Sequence, residues 1–318
     1  MKTWKKRTKA VHTGIRRSQY NEVSEAIFLT QGFVYDTAEQ AEARFIQSGE
    51  DEFIYARYGN PTVAMFEDRI AALEGAEDGF ATASGMAAVN GALTSMLRAG
   101  DHVVSARALF GSCLYILEEV LSRFGVEVTF VDGTDLAAWK AAIRPDTKAV
   151  FFESISNPTL EVIDIAAVAK LAHAVNATVI VDNVFATPVF SDAINQGADV
   201  VVYSATKHID GQGRCLGGVV LGSKDFIRGE LEPYLKHTGA ALSPFVRKVR
   251  VVLAENALVE MHDHMADRAV ALGRRTRHIA RLDAGKELPV GERPHEVFDR
   301  LDARHIVGQH PLDCPHRP

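Results

Sequence analysis

The sequence predicts an α/β fold built around a broad, mostly parallel sheet of seven strands, and two observations carry this prediction. From residue 61 to about residue 236, short apolar runs rich in β-branched residues alternate with segments of helical periodicity, which is typical of βαβ units. The chain has 318 residues, of which 47% are hydrophobic and 24% charged, as in a globular protein with one large domain and a smaller one. We therefore expect a buried sheet between helices.

The alternating region opens with a predicted helix. Pro61 suits the first helical position, Phe66, Ile70 and Leu73 share one face, and Gly75 marks the end. Helical segments are then expected between seven predicted strands, at residues 80–83, 102–105, 126–131, 149–153, 178–182, 200–203 and 218–221.

Charge and cysteine content narrow the choice of partners and location. Lys and Arg number 35 against 41 Asp and Glu, a net charge of −6, so no basic field favours nucleic acid or anionic lipid. The three cysteines lie far apart, which favours a reducing cytoplasm and no thiolate metal site. Residues 79–97 are uncharged, but polar residues interrupt them, so we predict a strand, a turn and a buried helix rather than a membrane span. Small molecules and copies of the chain itself are the expected partners.

The chain is predicted to divide into three parts. Residues 1–60 lack the alternation and end in an aromatic loop, so we expect an arm that contacts a neighbouring subunit. Residues 61–245 form the large α/β domain. Residues 246–318 are an atypical C-terminal segment, rich in Arg and His, in which residues 251–271 could form a helix.

Polar motifs follow three of the predicted strands. Ser84-Gly85-Met86 stands between a strand and a helix, where free N–H groups and the helix dipole favour a phosphate, although a plain N-cap with a turn glycine explains the tripeptide alone. Asp182 ends an apolar strand at the edge of the sheet where ligands normally bind, although a carboxylate that caps the next loop is an equal alternative.

The third motif contains a lysine. Ser204, Thr206 and Lys207 leave the end of one strand within four residues, and a lysine in a partly buried site can lose its proton and act as a nucleophile. A surface lysine after a strand is the usual alternative for a single Lys, but it accounts less well for the flanking Ser, Thr and His and for the glycines that follow. A phosphate cradle, a carboxylate and a lysine on successive strand ends are together what an enzyme dependent on pyridoxal 5'-phosphate (PLP) requires.

In these motifs the sequence resembles the Cys/Met metabolism PLP-dependent enzymes, which have the aspartate aminotransferase fold type I, and among them the O-succinylhomoserine sulfhydrylase branch. The resemblance covers about residues 10–245 and rests on the strings Val11-His12-Thr13-Gly14, Tyr55-Ala56-Arg57-Tyr58-Gly59-Asn60-Pro61-Thr62, Ser84-Gly85-Met86-Ala87-Ala88, Ser156-Asn157-Pro158, Val181-Asp182-Asn183 and Ser204-Ala205-Thr206-Lys207-His208. It implies a PLP-dependent transferase of fold type I whose large domain is the predicted sheet.

The resemblance also implies roles for individual residues. Lys207 would bind PLP covalently and act as the catalytic base, Asp182 would pair with the pyridine nitrogen, and the ring of Phe110 would stack on the cofactor. Relatives such as cystathionine γ-synthase carry Tyr in place of Phe110, and the loss of that hydroxyl favours the sulfhydrylase branch. Further cofactor contacts are implied for Ser84, Gly85, Met86, Ser204 and Thr206 at the phosphate, for Asn157 near the phenolic oxygen, and for Tyr55 and Arg57 reaching in from a neighbouring subunit.

The implied reaction is γ-replacement, in which O-succinylhomoserine or O-acetylhomoserine and sulfide give homocysteine for methionine biosynthesis. The implied assembly is a homo-oligomer, a dimer at least and commonly a tetramer. Cystathionine γ-synthase and a γ-lyase are alternatives within the family. From residue 246 onward the family's small domain, which supplies an arginine for the substrate carboxylate, is not recognisable; an altered reading frame is one hypothesis, and a PLP-binding but catalytically impaired protein is a further alternative.

Overall fold

The computed structural model describes residues 4–49 and 51–244. The predictions for residues 246–318, including the helix at 251–271, the missing small domain and the altered reading frame, lie outside these residues. No helix among the described residues is long and apolar enough to cross a membrane.

Within the described part of the chain, the strands form one sheet of seven, in the order β1-β7-β6-β5-β4-β2-β3. β7 is antiparallel to both of its neighbours, and the pairs β6-β5, β5-β4, β4-β2 and β2-β3 are parallel. The predicted mostly parallel, seven-stranded sheet is therefore confirmed. The strands are β1 (Asp78–Thr82), β2 (His102–Ala106), β3 (Glu127–Val131), β4 (Thr147–Glu153), β5 (Thr178–Asp182), β6 (Val200–Ser204) and β7 (Gly218–Gly222).

Helices connect the strands, as the alternating sequence pattern predicts. The α-helices of the described residues are α1 (Lys6–His12), α2 (Ala38–Ile46), α3 (Pro61–Glu74), α4 (Gly85–Met96), α5 (Gly111–Tyr115), α6 (Leu121–Arg123), α7 (Leu136–Ala142), α8 (Ile165–His173), α9 (Thr187–Phe190) and α10 (Glu232–Thr238). Shorter π-helical turns lie at Ile116–Val120, Ala205–Ile209 and Phe226–Leu231, and a 3-10 turn at Ile194–Gln196.

The core lies on both faces of the sheet. Successive side chains of a strand point to opposite faces, so Phe151 and Phe152 of β4 enter two separate apolar clusters and neither is exposed. Residues of α4, α5 and α10 cover the Phe151 side, and residues of α3, α7 and α8 cover the Phe152 side. Burial on both faces explains why the central strands read as nearly continuous apolar runs.

The helix predicted from Pro61 to Gly75 is present as α3. The Asn60 side chain accepts a hydrogen bond from the Thr62 N–H at 2.9 Å, and Gly75 ends the helix with a left-handed φ of 89°. The Asn60 amide also donates to the carbonyls of Phe28 and Thr30 at 3.1 and 3.2 Å. The helix cap thus fixes the N-terminal arm to the large domain.

The N-terminal arm, residues 1–60, packs partly against its own large domain and is partly exposed to solvent. Helix α1 packs against α3, and Lys9 Nζ donates to the Ala72 carbonyl at 2.9 Å. Farther along, Val23, Val34 and Ile46 are 90%, 92% and 79% exposed, respectively. Contact between this arm and a neighbouring subunit stays a prediction.

Candidate active site

The carboxyl ends of six strands lie on one edge of the sheet. β1 and β6 are both antiparallel to β7 and so run in the same direction, which β5, β4, β2 and β3 share through parallel pairing. Ligands of open α/β sheets normally bind at this edge. The structure brings nine of the predicted residues here: Ser84, Gly85 and Met86 after β1, Phe110 after β2, Asn157 after β4, Asp182 at the end of β5, and Ser204, Thr206 and Lys207 at and after the end of β6.

The start of α4 forms a cradle beside Ser204. The Ser84 side chain caps the helix by accepting from the Ala87 N–H at 3.1 Å, while the N–H groups of the first turn have no acceptor within the helix. A Cβ atom at Gly85 would lie 2.7 Å from Ser204 Cβ and 2.9 Å from its Oγ. Only glycine allows this approach, which sets a hydroxyl next to the positive end of a 12-residue helix. The arrangement suits a phosphate.

Lys207 lies in the helical turn Ala205–Ile209 with non-helical dihedral angles, φ −89° and ψ −115°. The sequence interpretation assumed a partly buried lysine, whereas the Lys207 side chain is exposed in the single chain. The reason is that Ala205 and Ile209, two residues to either side, take the buried positions of the turn. The Thr206 side chain is fixed to the residue before β7, because its Oγ1 accepts a hydrogen bond from the Gly217 N–H at 3.1 Å.

Asp182 is a half-buried carboxylate with a raised proton affinity. Its Oδ1 accepts from the Val184 N–H at 3.0 Å. Burial, and secondarily the charge of Glu153 opposite it on β4, raise the pKa of Asp182 to about 7. A carboxylate in this setting gains from a cationic partner, such as a protonated ring nitrogen.

Glu153 is a site residue that the sequence reasoning missed. Its carboxylate is only 4% exposed and accepts from the Phe110 N–H at 2.6 Å and the Asn157 N–H at 2.7 Å. One of its oxygens, one oxygen of Asp182 and the Cys113 Sγ lie within 4.8 Å of one another. A signal was present in the sequence, because Glu153 ends its strand in the same way that Asp182 ends the next one.

Gly218 was also missed. It is paired with both Thr82 and Ser204 at the amino end of β7, and a Cβ atom there would lie 2.3 Å from the Ser84 carbonyl oxygen. The glycine therefore lets the Ser84 turn close over the strand end. Its sequence signal is only the pair Gly217-Gly218 before an apolar strand.

Tyr55 and Arg57 lie in a loop of the arm. The Arg57 guanidinium stacks 4.8 Å from the centroid of the Tyr58 ring and 5.5 Å from that of Tyr55, and its Nη1 donates to the Lys236 carbonyl. Together they line a cleft of about 210 Å³ with Gln31, Ala56, Gly239, Ala241, Leu242, Ser243 and Pro244. Their predicted reach toward the site of a second subunit stays a prediction.

The fold and this strand-end arrangement are those of a PLP-dependent enzyme. Residues 7–249 match the Cys/Met metabolism PLP-dependent enzyme family, and the chain belongs to that family. The predicted family and cofactor class are thereby confirmed.

Individual relatives agree with this membership. The chain is 53% identical over 239 residues to an O-succinylhomoserine sulfhydrylase of Mycobacterium tuberculosis, which covers 75% of this chain and 58% of the relative. It is 42% identical over 239 residues to an L-methionine gamma-lyase of Fusobacterium nucleatum subsp. polymorphum, over 74% and 60% of the two chains. The chain thus spans about three fifths of the length of these curated relatives.

A solved structure shares the fold. It is that of a Campylobacter jejuni protein assigned as O-acetylhomoserine (thiol)-lyase, with a TM-score of 0.75 and 29% identity over 81% of this chain and 71% of that one. That crystal structure contains N'-pyridoxyl-lysine-5'-monophosphate.

The residues at the strand edge fit PLP in three respects. The glycine cradle at Gly85 leaves room for a phosphate beside the Ser204 hydroxyl. The raised pKa of Asp182 favours a protonated or positively charged partner, as the pyridine nitrogen is. The exposed amine of Lys207 follows the neighbouring strand, β6. A phosphate-binding cradle, a carboxylate and an amine are the groups that PLP enzymes use to hold the cofactor.

Proposed function

We propose that this chain binds PLP through Lys207 and catalyses γ-replacement on an O-acylated homoserine, with O-succinylhomoserine as the favoured substrate and O-acetylhomoserine as the second. The bond from Cγ to the ester oxygen breaks, sulfide supplies the new Cγ–S bond, and the products are homocysteine and the free carboxylate. The observation that carries this proposal is the 53% identity to a named O-succinylhomoserine sulfhydrylase. The proposal also places the reaction in methionine biosynthesis in the cytoplasm.

Each residue of the strand edge has a task in this proposal. When bound, PLP supplies an electron-withdrawing ring that stabilises negative charge at the substrate Cα. The Asp182 carboxylate would pair with the ring nitrogen and keep it protonated. Lys207 Nζ, once the substrate amine has replaced it, would move protons between Cα and Cβ of the substrate. Ser84, Gly85, Met86, Ser204 and Thr206 would hold the phosphate, with Asn157 near the phenolic oxygen.

Phe110 supports γ-replacement on an activated ester over the γ-lyase reaction. A ring at this position can stack on the cofactor, but without a hydroxyl it cannot give a proton to the leaving group, so the acid-base work falls on Lys207. An activated ester leaves as a carboxylate and needs no such proton. A γ-lyase is the second candidate, because the chain is also 42% identical to an L-methionine gamma-lyase.

The proposal includes an assembly of identical subunits, a dimer at least and a tetramer by analogy with the family. In it the arm of residues 1–60 would contact a second copy, and Tyr55 and Arg57 of that copy would complete the phosphate site. The division into this arm, a PLP-binding domain at 61–245 and an atypical segment from 246 belongs to the same proposal.

The visible absorption spectrum of the purified chain with PLP tests the proposal. We expect a band from lysine-bound PLP that changes when O-succinylhomoserine is added, and sulfide-dependent release of homocysteine. Lys207→Ala is expected to abolish the band, and Lys170→Ala, an exposed lysine of α8, is expected to retain it. A wild-type chain without the band would refute the PLP site. Release of 2-oxobutanoate from methionine without sulfide would instead favour the γ-lyase.

A further inference from the structure

The Glu153 carboxylate connects two loop segments of the strand edge, one before α5 and one after β4. Oε1 accepts from the N–H of Phe110, the residue before α5, and Oε2 accepts from the N–H of Asn157, in the loop after β4. Both distances, 2.6 and 2.7 Å, lie at the short end of the range for N–H···O bonds. Each oxygen thus holds one backbone segment at the strand edge.

The same carboxylate faces Asp182. The two residues are register partners on β4 and β5, and one carboxylate oxygen of each lies within 4.8 Å of the other and of the Cys113 Sγ from α5. These are the titratable groups of the cluster. Burial raises the pKa of Glu153, and its two backbone hydrogen bonds, which favour the charged form, offset only part of this rise. Burial also raises the pKa of the Cys113 thiol, far above neutral pH, so this thiol stays neutral.

A buried charge is costly unless it is paired, and Glu153 has a hydrogen-bond donor on each oxygen but no ion-pair partner among the described residues. A purely structural bridge between two backbone N–H groups needs only acceptors. A negative charge next to Asp182 has a second effect, because it increases the affinity of this edge of the sheet for a proton or a cation.

We propose that Glu153 is a positioning residue of the site, which fixes the backbones of Phe110 and Asn157 at the strand edge where PLP would bind and supplies a second negative charge beside Asp182. This inference rests on the proposed function, since it takes PLP as the occupant of the edge. Glu153 does not touch the reacting atoms; it acts through the Phe110 ring, the Asn157 side chain and the Asp182 carboxylate.

Two substitutions of Glu153 separate its two actions. Glu153→Gln keeps the shape, but it loses the charge and one of two acceptor oxygens. We expect the PLP dissociation constant to rise about tenfold, and the pH midpoint of the visible band of bound PLP to fall by about 0.5 to 1 unit, because a nearby negative charge stabilises the protonated form. Glu153→Asp keeps the charge on a shorter side chain, so the affinity should fall while the midpoint stays.

Glu67→Gln is the matched control. Glu67 is a buried glutamate, 7% exposed, which also accepts a backbone N–H at 2.6 Å, from Ala81, but it belongs to helix α3 and not to the strand edge. We expect neither the PLP affinity nor the pH midpoint to change in Glu67→Gln. Hydrogen exchange of the wild-type chain needs no variant: PLP is expected to slow exchange of the Phe110 and Asn157 amides together.

The outcomes distinguish the two proposals. A wild-type chain that shows no band with PLP overturns the proposed function and this inference with it. A wild-type chain that binds PLP, with a Glu153→Gln variant that equals it in affinity and midpoint, overturns this inference alone. If Glu153→Gln does not fold, Glu153→Asp and the exchange measurement decide: unchanged affinity and unprotected Phe110 and Asn157 amides overturn it.

Discussion

Two glycines allow three strand ends to meet at the candidate active site. Gly218 is paired with Thr82 on one side and with Ser204 on the other, and Gly85 lies against Ser204. At both glycines the nearest atoms would stand under 3.0 Å from an added Cβ, closer than side-chain packing permits. The distance between the start of α4 and the end of β6 is therefore set by the absence of two methyl groups.

Gly85→Ala is expected to weaken PLP binding by tenfold or more, because the new methyl group pushes Ser204 away from the first turn of α4. The measurement is a PLP titration followed by visible absorption. Gly229→Ala is the matched control, since a Cβ atom there meets nothing within 4 Å. Equal affinity of Gly85→Ala and Gly229→Ala would show that the close approach at Gly85 does not serve the phosphate.

Individual site residues can be predicted from the sequence when their role follows from their position next to a strand. Asp182 and Lys207 could be predicted because each follows an apolar strand, where a polar side chain is conspicuous. Glu153 and Gly218 could not be predicted in their roles, because these depend on partners distant in the chain: the Phe110 N–H for Glu153, 43 residues away, and the Ser84 carbonyl for Gly218.

At the scale of elements, a buried hydrogen-bond network joins α3 to the strands of the site. The Tyr203 hydroxyl of β6 donates to Glu74 at the end of α3 at 2.5 Å and accepts from the Asn183 amide at 2.6 Å. Asn183, next to Asp182, in turn accepts from the Ser154 hydroxyl at 2.7 Å. The loops after β4 and β5 are thus tied to the helix beneath the sheet.

Tyr203→Phe is expected to destabilise the chain by about 1 to 3 kcal/mol, because it leaves one oxygen of the Glu74 carboxyl and one Asn183 N–H without their partner in a buried site. Urea unfolding checks the value, with Tyr115→Phe as control, since the Tyr115 side chain is 52% exposed. A Tyr203→Phe variant as stable as the control would mean that the network contributes nothing to stability.

The elements themselves were largely predictable, whereas their arrangement was not. The strand at 178–182 has the predicted bounds, and β1 begins at Asp78 rather than at residue 80. Periodicity is a local property, so it identifies strands and helices. The order of the strands, with antiparallel β7 between β1 and β6, depends on pairing between residues more than 100 positions apart, such as Thr82 and Gly218.

At the scale of the whole molecule, the sheet is covered on both faces, and this burial includes several carboxyl groups. The pKa values of Glu67, Glu74 and Asp182 are each raised to about 7, with burial as the largest cause. An acid whose pKa is higher in the folded chain than in the unfolded chain stabilises the fold while it is protonated. These groups therefore make the stability of the fold decrease as the pH rises from about 4.5 to about 7.

Glu67 offers the clearest measurement of this effect, because it lies outside the candidate active site. Its carboxyl accepts from the Ala81 N–H at 2.6 Å, and the nearby Arg228, paired with Asp78 at 2.6 Å, only partly offsets the cost of burial. Below pH 4.5 its stabilising contribution is fully present, and it is lost as the pH rises through 7. Gln at this position has no proton to lose.

We therefore expect the free energy of unfolding of the wild-type chain, relative to that of Glu67→Gln, to fall between pH 5 and 7.5 by up to about 1.4 kcal/mol per pH unit and to level off above. Urea titrations of both chains across this range measure the difference directly. Glu42→Gln, which changes an exposed side chain of α2, should follow the wild-type curve throughout. A constant difference between wild type and Glu67→Gln from pH 5 to 8 would mean that the Ala81 N–H and Arg228 keep Glu67 ionised in the folded chain, and that burial of this carboxyl does not set the pH dependence of the fold.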